Sequence, residues 1–114
     1  MQIEIARFTD KVEETVAFYS AVLGREPDVA HDGMAIFFIG NVKLFIHHSA
    51  GADPDGPPND DHIAFSFDDV DAAVKVAGEK GLRFDLELRD YYWGRSAYLR
   101  DPDGRLVEIS SSGE

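Results

Sequence analysis

The chain has 114 residues, 44% of them hydrophobic, and a formal net charge of −11 at pH 7, which suits one compact domain or two half-size modules sharing a core. It has no cysteine, which excludes disulfide, thiolate-metal and cysteine-nucleophile chemistry and leaves His, Asp and Glu as the candidate metal ligands. The acidic charge and the scattered Lys and Arg residues disfavour nucleic acid and anionic membrane partners.

The first half of the chain predicts a β-α-β-β-β order. Asp10 followed by Glu13 is the pattern of a capping box, and apolar residues then recur at helical spacing until Gly24 ends the helix. A Gly-Asn pair at 40–41 predicts a tight hairpin turn. The predicted strands of this module are 2–8, about 28–31, 34–39 and 42–48.

The segment 49–60 is rich in Gly, Pro and Asp, which predicts a linker without regular structure. The same order of elements then starts again. Asp68 and Asp71 predict the start of a second helix, which Gly81 ends. The predicted strands of this half are 61–67, about 83–89, 95–100 and 105–110. The chain is therefore expected to hold module one at 1–48, the linker at 49–60 and module two at 61–114.

Asp101-Pro102-Asp103-Gly104 predicts a tight turn between the last two strands, because Pro presets φ and Gly accepts positive φ. Alternation after this turn places Val107 and Ile109 on one face of the last strand and Glu108 on the other. A carboxylate on such a strand is usually solvent-exposed, but it becomes a ligand or an acid-base candidate if the sheet curls around a cavity.

The two halves align with a shift of about 58 residues, which is a weak internal repeat. In this alignment Glu4 falls opposite His62. Each of the two residues is predicted to lie on the concave face of its strand, away from the apolar face that packs on the helices. Arg7 breaks the alternation of the first strand, so either its stem reaches the sheet edge or the register of that strand differs by one.

Several motifs together resemble the vicinal oxygen chelate superfamily, which includes glyoxalase I, the bleomycin-resistance and fosfomycin-resistance proteins and the extradiol dioxygenases. Phe18-Tyr19 with Leu23-Gly24, Asp61-His62-Ile63-Ala64-Phe65, and Asp101-Pro102-Asp103-Gly104 leading to Glu108 carry the resemblance, which covers nearly the whole chain.

The resemblance implies a metal-ligand set of Glu4, His62 and Glu108, with Glu4 and Glu108 as the catalytic carboxylates. An alignment anchored on Asp10 instead puts Ile3 at the first position and leaves no triad. Two carboxylates and one imidazole suit Mn, Fe, Zn, Ni or Mg. The alternative is that His62 and Glu4 are ordinary hydrogen-bonded or solvated side chains.

The predicted substrate-binding residues are Phe8, His48, Tyr92 and Trp93. Only one of His47 and His48 can face the cavity, because neighbouring residues of a strand alternate. The aromatic residues are either ordinary sheet core or the wall of a ligand pocket.

The expected fold is α+β, with two β-α-β-β-β modules forming partly rolled mixed sheets around a cavity. The expected function is a glyoxalase-type enzyme (lyase, isomerase or transferase) that binds a divalent metal and a small oxygenated substrate. The alternative is a metal-free binding protein of the bleomycin-resistance type that sequesters an aromatic or cationic ligand. A homodimer and a cytoplasmic location are also expected.

Overall fold

The structure is a computed structural model that describes residues 1–51 and 53–112. Ala52, in the predicted linker, and the last two residues of predicted module two lie outside the described residues. The elements are β1 (Ile3–Thr9), α1 (Val12–Leu23), β2 (Val29–His31), β3 (Met34–Ile39), β4 (Val42–His48), β5 (His62–Phe67), α2 (Val70–Glu79), β6 (Leu86–Tyr91), β7 (Gly94–Arg100) and β8 (Leu106–Ser111). This order confirms the predicted α+β fold with two β-α-β-β-β runs.

The described chain divides into two compact units. The unit called the first module below is Glu4–Asp61, and the second module contains Met1–Ile3 and the chain from His62 onward. The N-terminus belongs to the second module because Gln2 pairs with Ser66 just beyond the middle of β5. The Gln2 amide donates to Ser66 Oγ at 3.1 Å, and the Ser66 amide donates to the Gln2 carbonyl at 3.1 Å.

The first module is a sheet in the order β2-β3-β4-β1 with α1 packed on it. Alternation along β4 places Leu44 and Ile46 on the helix side, where they form a buried cluster with Phe37. The residues of α1 that recur at helical spacing pack on this cluster, together with one residue of β1. They are Val12, Val16, Tyr19, Leu23 and Ile5.

The second module is a mixed sheet in the order β5-β8-β7-β6. Strands β5 and β8 are parallel, whereas β7 is antiparallel to both β8 and β6. The predicted turn between β7 and β8 is confirmed. Its Gly104 amide donates to the Asp101 carbonyl at 2.9 Å, and Gly104 has a φ of 86°.

The two helices begin differently from the sequence prediction. The residue before α1 is Lys11, and no side chain caps this helix, so the predicted capping box at Asp10 is wrong. The residue before α2 is Asp69, whose carboxylate accepts a hydrogen bond from the Ala72 amide at 3.0 Å. The neighbouring Asp68 instead accepts a hydrogen bond from Ser112 at 3.0 Å. Two adjacent aspartates have the same capping propensity, so only the position of the first helical turn distinguishes them.

Strand β6 begins at Leu86, three residues later than the start predicted from alternation. Leu86 pairs with Tyr98, and in that register Arg83 would have to pair beyond Arg100, where β7 ends. A strand cannot continue its ladder past the end of its partner, so Arg83 lies outside β6. Neither described helix has the length and apolar character needed to cross a membrane.

Candidate functional site

A buried polar network lies on one face of the second module's sheet. His62 is 9% exposed, Glu108 is 6% exposed and Ser96 is fully buried. Glu108 Oε1 lies 3.0 Å from His62 Nε2, and the Ser96 hydroxyl donates to Glu108 Oε2 at 2.7 Å. Both oxygens of the buried carboxylate therefore have a polar partner, as expected for a charge removed from water.

The register of the sheet explains why these residues meet. Ala64 of β5 is the parallel neighbour of Glu108, and His62 lies two residues before Ala64 on the same face. The small side chain of Ala64 leaves room beside Glu108 for the imidazole. On the other side of Glu108, β7 places Tyr98 directly opposite.

Tyr98 completes the network. Burial raises the pKa of the Tyr98 phenol, and the neighbouring Glu108 carboxylate raises this pKa further. The hydroxyl therefore stays protonated at neutral pH and can donate a hydrogen bond to the carboxylate. The Tyr98 ring also contacts the His62 ring edge-on, with centroids 6.1 Å apart.

Aromatic residues gather where β6 turns into β7. Trp93 stacks on Tyr91 with ring centroids 4.4 Å apart and an interplanar angle of 6°. The Arg89 guanidinium lies 4.7 Å from the centroid of the same Tyr91 ring. Tyr92 touches Trp93 edge-on but is 98% exposed, so among the predicted aromatic residues Trp93 is the better placed to bind a ligand.

The predicted site residues of the first module lie on β1 and β4. The Lys43 ammonium lies 3.4 Å from Glu4 Oε1, and the Phe8 ring lies 5.5 Å from the His47 ring. His48 follows on the other side of β4, where its Nδ1 accepts a hydrogen bond from the Ala50 amide at 3.0 Å. Arg7 is an exposed partner of Asp61 at 3.5 Å.

The structure therefore brings His62 and Glu108 together and adds two residues that the sequence did not assign to the site, Ser96 and Tyr98. Ser96 and Tyr98 could have been inferred from the predicted turn. A hairpin centred on Asp103 places Tyr98 opposite Glu108, and alternation then puts Ser96 on the same face.

The first module also has an open groove of about 830 Å³ between α1 and strands β2 and β3. None of the predicted site residues lines this groove. The groove is therefore separate from the predicted site residues and from the buried polar network.

The model of the Glyoxalase/Bleomycin resistance protein/Dioxygenase superfamily matches residues 3–109. The chain belongs to this superfamily. No curated protein matches it.

Solved structures agree with this family. A Streptomyces coelicolor methylmalonyl-CoA epimerase, solved with 2-nitronate-propionyl-CoA, is 26% identical over 96% of this chain and 92% of its own, with a TM-score of 0.68. A superfamily member from Vibrio splendidus is 14% identical over 97% and 98%, with a TM-score of 0.67. A Legionella pneumophila protein described as an NAD-dependent benzaldehyde dehydrogenase is 15% identical over 96% and 97%, with a TM-score of 0.77. The last two likenesses concern the fold alone.

Divalent metals are typical of the glyoxalase superfamily, and the donor chemistry of the network fits one. Imidazole nitrogen and carboxylate oxygen are ligands that Zn, Mn, Fe and Ni accept. The hydrogen bond from Ser96 to Glu108 is the kind of outer contact that orients a metal-ligating carboxylate.

Proposed function

We propose that this member of the glyoxalase superfamily is a divalent-metal-dependent isomerase or lyase that moves a proton on a small oxygenated substrate. The buried His62–Glu108 pair carries the proposal, because an acidic side chain so deeply buried is rare without a functional or structural partner. The likeness to an epimerase at 26% identity supports the isomerase class.

In this proposal the metal ligands are Glu4, His62 and Glu108, each of which offers one donor atom of a suitable type. The weak internal repeat supports the inclusion of Glu4, because the alignment of the two halves places Glu4 opposite His62. A bound divalent cation would act as a Lewis acid that stabilises negative charge developing on a substrate oxygen.

The protein's own groups would handle the proton. The Glu4 carboxylate would accept it from a substrate carbon beside a carbonyl, and would return it to the same or the neighbouring carbon, so that no net charge is gained. Glu108 would serve as the second catalytic carboxylate by staying fixed in place, because the Ser96 hydroxyl donates to it.

Metal binding tests the proposal. Adding Mn²⁺, Ni²⁺ or Zn²⁺ to the metal-free protein should raise its melting temperature by roughly 10 °C once the free metal exceeds its dissociation constant by about 100-fold. The His62→Gln and Glu108→Gln variants, with folding checked by circular dichroism, should show no shift. The Glu4→Gln variant should bind the metal more weakly.

His31→Gln is the matched control, because His31 is an exposed histidine on β2, outside the proposed ligand set. It should keep the full shift. A wild type that binds none of these metals by calorimetry would contradict the proposal and favour the metal-free binding protein, with Phe8, Tyr92 and Trp93 as its ligand contacts.

The remaining expectations stay predictions: a homodimer, a cytoplasmic location, and substrate contacts by Phe8, His48, Tyr92 and Trp93. Phe8 has support from its position, because it shares its face of β1 with Glu4 by alternation. His47 is a further candidate, since its ring contacts Phe8 and His48 lies on the other side of β4.

A further inference from the structure

The proposed reaction uses neither Arg89 nor Tyr91, although both lie on the sheet face that carries the buried network. Arg89 pairs with Ser96 and Tyr91 pairs with Gly94 across the β6–β7 ladder, and paired residues share a face. The register of β6 shifts between Leu86 and Arg89. Such bulges re-aim the side chains that follow them and are frequent beside active sites.

Tyr91 is held between two other side chains. The parallel stack with Trp93 covers one face of its ring, so the Arg89 guanidinium, 4.7 Å from the ring centroid, occupies the other. This cation–π contact holds the guanidinium beside the ring, and its N–H groups can still donate to another group. Arg89 is therefore positioned to bind an oxyanion.

The charge of Arg89 has no counterpart in the described part of the chain. Five other arginines form ion pairs with aspartates, and they are Arg7, Arg25, Arg95, Arg100 and Arg105. Arg89 makes no such pair among the described residues, even though the chain carries 22 acidic residues. A cation without a carboxylate partner, on the same face as a candidate reaction centre, is suited to an anionic ligand.

The Tyr91 hydroxyl gives an independent indication. It is buried, and it has no hydrogen-bond partner among the described residues. Buried hydroxyls nearly always have one, so the Tyr91 hydroxyl keeps an unused capacity to form a hydrogen bond. As a phenol it can donate to an anionic oxygen.

We propose that Arg89, Tyr91 and Trp93 form an oxyanion subsite that binds a carboxylate or phosphate group of the substrate. The subsite proposal rests on the proposed function, because it takes the reacting end of the substrate to lie at His62 and Glu108. Strands lie about 4.8 Å apart, so β6 and β8 are separated by about 10 Å. The substrate class is therefore a small oxygenated acid whose anionic group lies a few bonds from the reacting carbon.

Trp93 is the single tryptophan of the chain and reports directly on this subsite. Its fluorescence would be titrated in metal-free protein with malonate, with inorganic phosphate and with neutral malonamide. We expect a saturable change in Trp93 fluorescence with malonate or phosphate and none with malonamide. The anion that binds more tightly shows whether the subsite prefers a carboxylate or a phosphate group. The Arg89→Gln variant should bind that anion at least about tenfold more weakly. The Tyr91→Phe variant should show a smaller loss.

Arg83→Gln is the matched control, because it removes the same charge from an exposed arginine of the same module that also lacks a described ion pair. It should leave the affinity unchanged. Equal losses in the two arginine variants, binding of malonamide as tight as that of malonate, or no saturable change with either anion would overturn the subsite.

Calorimetry with Mn²⁺ separates the test of the subsite from the test of the proposed function. Arg89→Gln should bind the metal like wild type, and a wild type that binds the anion but no metal would refute the metal-dependent enzyme alone.

Discussion

The two modules repeat one order of elements but bury different chemistry. In the first module the buried cluster is apolar, with Phe37, Leu44 and Ile46 packed against α1. In the second module the sheet face buries Glu108, His62 and Ser96. An apolar cluster gains stability from every atom removed from water, whereas a buried ionic network at best recovers its desolvation cost. The comparison indicates that the second module, unlike the apolar cluster of the first, buries a polar network whose desolvation cost must be offset by its hydrogen bonds.

Truncating the apolar cluster should have the largest effect. Phe37 is fully buried, with 0% of its surface exposed to solvent, so Phe37→Ala should lower the free energy of unfolding by about 3–5 kcal/mol. Urea unfolding followed by circular dichroism measures this. Phe38→Ala is the matched control, because Phe38 is the next residue and is 42% exposed. An equal loss in the two variants would show that the cluster is not the main source of stability.

Breaking the polar network should have the next largest effect. Glu108→Leu or His62→Leu alone removes one partner of a buried hydrogen bond, which typically costs about 1–3 kcal/mol. The double variant removes both groups, so the two losses should not add, and the coupling should reach about 1–3 kcal/mol. Additive losses in denaturant unfolding would mean that the two side chains act independently.

The helix starts offer a smaller contrast between the modules. Asp69 caps α2 through the Ala72 amide, so Asp69→Ala should lower the free energy of unfolding by about 1 kcal/mol. Asp10 precedes α1 without capping it, so Asp10→Ala should change stability by less than half as much. Thermal unfolding of both variants checks this. A larger loss from Asp10→Ala would restore the capping box that the sequence predicts.

The smallest expected effect concerns an exposed ion pair of the second module. The hydrogen bond from Arg95, at 2.9 Å, lowers the pKa of the Asp71 carboxyl below its usual range. A lowered folded-state pKa means that the pair contributes stability above the unfolded value of about 3.9, and that the contribution is lost as the pH falls through the folded value.

Asp71→Asn should therefore lower the melting temperature slightly at pH 7 and not at pH 2. The difference at pH 7 should shrink in 1 M salt, where charges are screened within about 3 Å. Thermal scans at both pH values and both salt concentrations measure it. A difference that persists at pH 2 would mean that the substitution acts through packing rather than charge.

Much of the fold follows from local sequence patterns. Helical spacing, turn residues such as Asp101-Pro102-Asp103-Gly104, and strict alternation act over a few residues, so they predicted the order of elements and the face on which Glu108 lies. The ends of the helices and strands were harder to predict from the sequence. The start of β6 depends on its pairing with β7, which lies elsewhere in the sequence, and the choice between Asp68 and Asp69 depends on the first turn of α2.

For the site, the sequence by itself determined the residue types and their faces: no cysteine, a carboxylate on the last strand, and a histidine opening the second half. Only the tertiary structure decided that Glu108 is buried rather than solvated, that Ser96 and His62 occupy its two oxygens, and that Arg89 and Trp93 enclose Tyr91. The physical reason is that burial and side-chain contact depend on register between strands distant in the chain. A local pattern specifies which side of a strand a residue occupies, but not which side chains lie beside it.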